Sequence, residues 1–201
     1  MGLKFQYNKT SLQALDKQLQ IRLRALPTLK NKESALRMEV KHAKNRISEL
    51  EKALEKIIEE QDKNLMMWEE FDASLTEVRE VRLGYKKIAG VAIPELDEVL
   101  FHVREYDLFT SPKWYPEGIE LLKELMKLVV EQELTRKKYE MLEYARRKAT
   151  QKVNLYEKVQ VPAYEAAIRK IKRYLEDEDN LTKAAQKIVK TRQQETTEAG
   201  L

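Results

Sequence analysis

The sequence predicts a mainly α-helical fold: N- and C-terminal helices form a long antiparallel two-helix coiled coil, and a small insert at its closed end contains a β-hairpin. Three patterns carry this prediction, namely a narrow hydrophobic stripe near the start, a second stripe near the end, and an alternating pattern between them. The composition agrees, because 36% of the 201 residues are charged and only 5 are glycine and 5 are proline. Such a composition favours long helices over a compact core.

The first stripe runs in alternating steps of three and four residues from Leu12 to Trp68. A stripe this narrow is typical of a coiled-coil seam and predicts one helix of about sixty residues, or roughly 90 Å at 1.5 Å per residue. Such a helix needs a second helix of similar length to cover it. Four seam positions are strongly polar: Arg22, Glu33, Gln61 and Asn64. They could fix the register of the pairing at some loss of stability, but we interpret them as drift of the seam toward the surface.

The second stripe predicts the partner helix, from Glu117 to about Thr191. If the two helices are antiparallel, the numbers of paired residues add up to about 189. Pro27 and Pro162 satisfy this sum, so we expect a local bend where both prolines fall at one level. Residues beyond about Asn180 have no partner helix and are expected to continue as a single basic helix.

The insert changes its hydrophobic period from seven to two. This alternation predicts a β-hairpin from about Glu77 to about Tyr106, with its break at Gly90 to Pro94. A lone two-stranded hairpin is marginal in water, so it is expected to cap the closed end and to pack on the helices or on another protein. The residues that alternate are Val81, Leu83, Tyr85, Val99, Phe101 and Val103. The predicted domains are residues 1–72, 73–116 and 117–201.

The charge is distributed unevenly along the chain. Residues 1–46 hold 11 Lys or Arg against 3 Asp or Glu, whereas residues 47–72 hold 3 against 9. The open end of the coiled coil is therefore basic, which suits either a solvated helix surface or an acidic partner. The absence of cysteine excludes disulfides and thiol chemistry and is compatible with the cytoplasm. No signal-peptide core and no apolar run near the ~18 residues of a membrane span occur, so membrane association is expected to be indirect.

We find no catalytic, cofactor-binding or metal-binding constellation in the sequence. The segment from Gly84 to Gly90 lacks the G-x-x-x-x-G-K-[ST] pattern of a phosphate-binding loop. His42 lies one helical turn from Glu39, but without a third ligand this pair indicates a helix surface rather than a metal site. The expectation is a protein that is not itself an enzyme and that needs no cofactor or metal.

Both ends and the middle of the chain carry a family resemblance. The segments are Tyr7–Leu12, Leu29–Leu36, Gly90–Glu95, Lys152–Glu157, Val161–Pro162 and Ile168–Ile171. Together they resemble the D subunit of the V-type and A-type rotary ATPases, the central rotor shaft, over nearly the whole chain. Two departures stand out: the segment 176–185 is less basic than the family pattern, and Pro27 interrupts a stretch that is more basic and continuous there. These departures indicate a divergent bacterial branch.

The resemblance implies a non-catalytic shaft that transmits torque. One end would lie inside a hexamer of catalytic and regulatory ATPase subunits, and the other would dock with the small F subunit and a funnel-shaped subunit onto a membrane ring. It implies no nucleic-acid partner, and a cytoplasmic position peripheral to the inner (plasma) membrane. The candidate contact residues are Arg22, Arg24, Lys30, Lys32, Lys187 and Lys190 for the hexamer end, and Gly90, Val91 and Pro94 for the foot end.

Three other interpretations compete with this one. A prefoldin-like chaperone subunit also places a β-hairpin between antiparallel helices, but its helix tips expose apolar residues, whereas both termini here are basic. A basic coiled-coil scaffold that binds nucleic acid would use residues 1–46, where only Phe5 and Tyr7 could stack on bases. A cytoskeletal tether would be recognised by self-association.

Overall fold

The computed structural model describes residues 4–61, 68–107 and 111–198. It confirms a mainly α-helical fold with one antiparallel two-stranded hairpin in the middle of the chain. The elements are, in order, α1 (Lys9–Gln61), a 3-10 turn (Ala73–Leu75), β1 (Thr76–Ile88), β2 (Val91–Val103), α2 (Tyr115–Asn154), a π-helical turn (Leu155–Gln160) and α3 (Val161–Glu198).

Helix α1 begins where Asn8 caps it. The Asn8 side-chain oxygen accepts a hydrogen bond from the backbone N–H of Ser11 at 2.6 Å, which satisfies one of the unpaired donors of the first turn. The helix passes through Pro27 without ending and continues to Gln61. The part of the predicted helix at residues 62–67 lies outside the described residues.

The described chain divides into two compact units, the first comprising residues up to Asn31 and from Thr150 onward, the second comprising Lys32–Ala149. Antiparallel helix pairing occurs inside each unit. In the first, Lys30 Nζ lies 2.7 Å from a Glu157 carboxylate oxygen, and in the second, Arg46 lies 2.7 Å from Glu131. The residue numbers of these two pairs add up to 187 and 177, so the predicted sum of 189 holds within two in the first unit and is too high by twelve in the second.

The hairpin turn comes earlier than the predicted break at Gly90 to Pro94. Ile88 pairs with Val91, so the turn consists of only Ala89 and Gly90, with φ angles of 48° and 78°. Positive φ at both positions is typical of the tight turns that match strand twist. Pro94 instead lies inside β2 opposite Tyr85. The break was misplaced because alanine at the first turn position is not a left-handed residue by propensity.

The hairpin packs along the helices of the second unit. Ile93 is 1% exposed and shares a hydrophobic core with Leu36, Ala43, Leu142 and Ala149. A strand of 13 residues spans about 43 Å, close to the length of helix between residues 32 and 61 at about 1.5 Å per residue. The expectation that the hairpin packs on the helices is therefore confirmed, because apolar residues near its tip are covered by α1 and α2.

An aromatic cluster lies where the chain enters the hairpin and leaves it again. Trp68 and Phe71 meet Trp114 and Tyr115, with ring centroids 5.1 to 5.8 Å apart. The Tyr115 hydroxyl donates to the Glu70 carbonyl oxygen at 2.9 Å. Aromatic edge-to-face contacts of this kind add to the stabilisation from burial. The sequence does not predict the cluster, because its two halves, at residues 68–71 and 114–115, are far apart in the chain.

The second helical run contains a π-helical turn immediately before Pro162. Proline has no N–H and its ring clashes with the carbonyl four residues earlier, which disturbs the α-helical hydrogen bonds before it. The Val161 N–H instead donates to the Tyr156 carbonyl, five residues back. At the level of Pro27 and Pro162, the second helical run is thus interrupted by a π-helical turn, whereas α1 remains helical at Pro27. The bend predicted at this level stays a prediction.

Candidate partner-binding surfaces

Two of the basic residues proposed for partner contact are used inside the chain. Arg22 donates from Nε to the Gln160 side-chain oxygen at 2.7 Å, and its guanidinium carbon lies 4.4 Å from the centre of the Tyr164 ring. Lys30 forms an ion pair with Glu157. These contacts bind α1 to the opposite helix, so the two cations serve the helix pair itself.

The interpretation of the polar seam residues as surface drift is wrong for Arg22 and Glu33. Arg22 is partly buried between the helices, and the Glu33 side chain is only 15% exposed. Gln61 is also partly buried and accepts a hydrogen bond from the Trp68 indole at 3.3 Å. Asn64 lies outside the described residues. Polar groups in the seam are tolerated here because each has a hydrogen-bond partner.

The remaining basic candidates are exposed. Arg24, Lys187 and Lys190 make no side-chain hydrogen bond or ion pair within residues 4–61, 68–107 and 111–198. Lys32 lies beside the hairpin turn, since a Cβ built on Gly90 would be 3.5 Å from the Lys32 amine. Lys32 and Gly90, which were assigned to opposite ends of the molecule, are therefore neighbours.

The end of α3 is exposed on all sides from Glu176 to Gln194. Apolar side chains nevertheless occur there: Leu181, Ile188 and Val189 are 73%, 56% and 53% exposed. Leu181 and Ile188 are one heptad apart and lie on one side of the helix, which we call the apolar tail face together with Val189. A helix face of this kind, rimmed by lysines, is typical of a surface that binds another protein.

The hairpin presents a second apolar surface. Val78 and Leu83 are each 38% exposed and Tyr85 is 75% exposed, all on β1. The strands differ in charge, because β1 carries four basic residues and β2 carries none apart from a histidine. The acidic residues of β2 are Glu95, Asp97 and Glu98, and the basic residues of β1 are Arg79, Arg82, Lys86 and Lys87.

A groove of about 760 Å³ separates part of β2 from the helices of the second unit. Pro94, Leu96 and Phe101 line it on the hairpin side, and Arg46 and Lys127 line it on the helix side. Only the fold-back of the hairpin creates this groove, so no sequence signal could have located it.

Glu143 is the most strongly perturbed titratable group of the described chain. Hydrogen bonds from Arg146 at 2.7 Å and from Arg147 at 3.0 Å lower the pKa of its carboxyl to about 2. The same contact raises the pKa of Arg146. Spacings of three and four residues on one helix make this cluster readable from the sequence.

The described residues hold neither a membrane-spanning helix nor a metal cluster. Among them, no helix is both long and apolar enough to cross a membrane. Within the same residues, no group of three or more histidine, aspartate or glutamate side chains is arranged to hold a metal ion.

The fold defines a class of protein: paired antiparallel helices with a β-hairpin insert. The sequence matches the family model for the ATP synthase D subunit over residues 11–191. The D subunit of a V-type ATP synthase from Borreliella burgdorferi is 34% identical over 94% of this chain and 94% of its own length. The corresponding subunits of Chlamydia felis and Chlamydia pneumoniae are each 28% identical, over 85% and 88% of this chain and 86% and 87% of theirs.

The chain therefore belongs to the ATP synthase D-subunit family. It is a component of a multi-subunit ATPase of the V/A type, so the family expected from the sequence is confirmed.

Proposed function

We propose that this chain is the non-catalytic central shaft of its complex and transmits torque between an ATPase hexamer and an ion-translocating membrane ring. The observation that carries the proposal is the antiparallel pairing of α1 with the second helical run, seen in both compact units. Two helices with interlocked side chains resist twisting better than one helix does. Torque transmission needs this resistance.

The exposed end of α3 is the proposed contact with the catalytic and regulatory subunits of the hexamer. Its apolar tail face can pack against apolar residues of a surrounding collar, while Lys187 and Lys190 can meet acidic groups at the rim. Arg24 is proposed to add a basic contact with the hexamer. Lys32, which lies beside the hairpin turn, is proposed to belong with Gly90 to the foot contact. Arg22 and Lys30 instead join the two helices of the first unit to each other.

The hairpin is the proposed contact with the foot of the complex, which we take to comprise the small F subunit and a funnel-shaped subunit. Gly90 is exposed and Pro94 is partly buried, whereas Val91 packs against the helix core. A foot protein would therefore reach along the hairpin as far as its turn. In this arrangement the chain is cytoplasmic and meets the inner membrane only through the complex.

The assembly can be tested by purifying the tagged chain from gently solubilised membranes of its own organism and counting what copurifies by mass spectrometry. We expect two P-loop ATPase subunits at about three copies each per copy of this chain, as a shaft inside a hexamer requires. Recovery of the chain alone, of unfolded clients or of nucleic acid would contradict the proposal.

The apolar tail face can be tested with a matched pair of charge insertions. Ile188→Asp should reduce ATP-driven ion transport of the reconstituted complex about tenfold or more, because it buries a carboxylate in an apolar contact. Gln186→Asp adds the same charge to an exposed position nearby and should leave transport nearly unchanged. Equal effects of the two variants would show that this face makes no specific contact.

A further inference from the structure

Arg22 occupies a core position of the coiled-coil seam. Leu36, Ala43 and Leu50 are buried and spaced by one heptad each, with exposures of 0%, 4% and 2%. Arg22 lies two heptads before Leu36, so it holds the same position in the repeat. A partly buried cation at this position requires hydrogen-bond partners, because an unsatisfied charge there would destabilise the helix pair.

The hydrogen-bond partners of Arg22 accept from most of the N–H groups of its guanidinium. Nη1 donates to the Gln18 carbonyl oxygen at 2.9 Å and to its side-chain oxygen at 2.8 Å, within α1. Nε donates across the pair to Gln160 at 2.7 Å, and the guanidinium carbon lies over the Tyr164 ring, 4.4 Å from its centre. A planar group that donates from two nitrogens to two different residues is available to arginine and not to lysine.

The residue that Arg22 reaches lies at the end of the π-helical turn. The buried Leu142 and Ala149 are one heptad apart, and the buried core residues after the π-helical turn are Ala167, Ile168 and Ile171. Ile171, the fully buried one of the three, comes 22 residues after Ala149, one more than three heptads. A π-helical turn contains one residue more than an α-helical turn of the same rise. Without it, the following helix would be rotated by about 100° and the exposed Lys170 would take the place of Ile171.

We propose that Arg22 and the π-helical turn act as a pair, in which the guanidinium holds the extra residue at Leu155–Gln160 and so determines which face of α3 meets α1. Pro162 explains why an α-helical turn is interrupted, but it does not select the rotation of the helix that follows. The hydrogen bond from Arg22 to Gln160 selects this rotation, since it joins the last residue of the π-helical turn to a seam position of α1. Arg22 is thus a positioning residue for α3.

The chain contains no cysteine, so its helices can be spin-labelled in pairs without background. Labels at Lys17 and Arg173, both exposed in the first unit, report the rotation of α3 against α1. The native chain should give a single distance between the two labels. Arg22→Leu should add a second population displaced by several ångström, because a rotation of about 100° moves a side chain on a helix surface by that much.

Two controls accompany this measurement. Arg24→Leu removes an exposed cation two residues away and should keep the single distance. Labels at Met38 and Met141, exposed in the second unit, should not respond to Arg22→Leu. If Arg22→Leu fails to fold, Arg22→Lys keeps the charge without the planar contacts and should show the same second population at a lower fraction.

Deletion of the exposed Val159 provides an independent test, since it removes the extra residue. With Arg22 present, the deletion should lower Tm by several degrees, because Gln160 leaves its partner. With leucine at position 22, the same deletion should raise Tm, because the apolar heptads then run without interruption. Equal Tm shifts in the two backgrounds, or a single distance in both Arg22→Leu and Arg22→Lys, would overturn the proposal.

These measurements on the isolated chain do not depend on the proposed shaft function. The mechanical consequence does rest on it: Arg22→Leu in the assembled complex should lower the ions moved per ATP hydrolysed. Unchanged transport together with a shifted distance would preserve the positioning role and count against the shaft function.

Discussion

The carboxylate of Glu143 shows how two neighbouring cations on one helix change a single residue. Its pKa is about 2 instead of 4.5, because Arg146 and Arg147 donate hydrogen bonds to its charged form. A carboxylate whose pKa is lower in the folded chain stabilises the fold above its unfolded pKa. This contribution is lost as the pH falls from about 4.5 through about 2.

We therefore predict that Glu143→Gln makes the free energy of unfolding less dependent on pH below 4.5. At neutral pH the variant should lose about 1 kcal/mol, since the helical ion pairs are partly solvated. Urea unfolding at a series of pH values measures both effects. Glu140→Gln, an exposed change on the same helix, should follow the native dependence of the unfolding free energy on pH. The prediction would be contradicted if the curve for Glu143→Gln ran parallel to the native curve below pH 4.5.

Glycine is required at position 90 because of its backbone conformation and not because a side chain would lack room. Its φ of +78° is strained for any residue with a Cβ, although that Cβ would meet only the end of Lys32 at 3.5 Å. Gly90→Ala should lower the free energy of unfolding by about 1–2 kcal/mol. In Gly84→Ala the new Cβ would meet a flexible Asp97 carboxylate in an extended strand, so this variant should lose less free energy of unfolding. Thermal unfolding of both variants measures the difference. The reverse order would argue against the turn assignment.

At the scale of elements, the hairpin owes its order to the helices beneath it. Two strands alone are marginal in water, but Ile93 is buried among four residues of α1 and α2. The strands are joined by a tight turn and run antiparallel with two irregularities in register. Such bulges increase the local twist and let a long hairpin follow a helical surface.

Ile93→Ala should consequently loosen the whole hairpin. Loss of a buried isoleucine costs about 2–5 kcal/mol where the cavity cannot collapse. Hydrogen exchange of the β1 and β2 amides should accelerate by a hundredfold or more, while exchange in the first unit stays near native values. Ile58→Ala makes the same chemical change at 57% exposure and should leave exchange unaffected. Unchanged hairpin protection in Ile93→Ala would show that another contact holds the strands.

At the scale of the whole molecule, both compact units use the same antiparallel pairing. The pairing follows from two seams of similar length within one chain, since each helix covers the stripe of the other. The family match extends over residues 11–191, so it includes both helices and the hairpin. Membership in the family thus belongs to the complete architecture and not to one segment.

The sequence by itself determined the long helices, their antiparallel pairing, the hairpin and the family, because these depend on periodicity and on local residue type. Leu36, Ala43 and Leu50 could be assigned to the seam for this reason. The tertiary structure alone decided the fold-back of the hairpin, the contact of Lys32 with Gly90, and the partial burial of Arg22 against Gln160. These contacts join residues distant in the chain, and their energies depend on which surfaces meet, which no local pattern specifies.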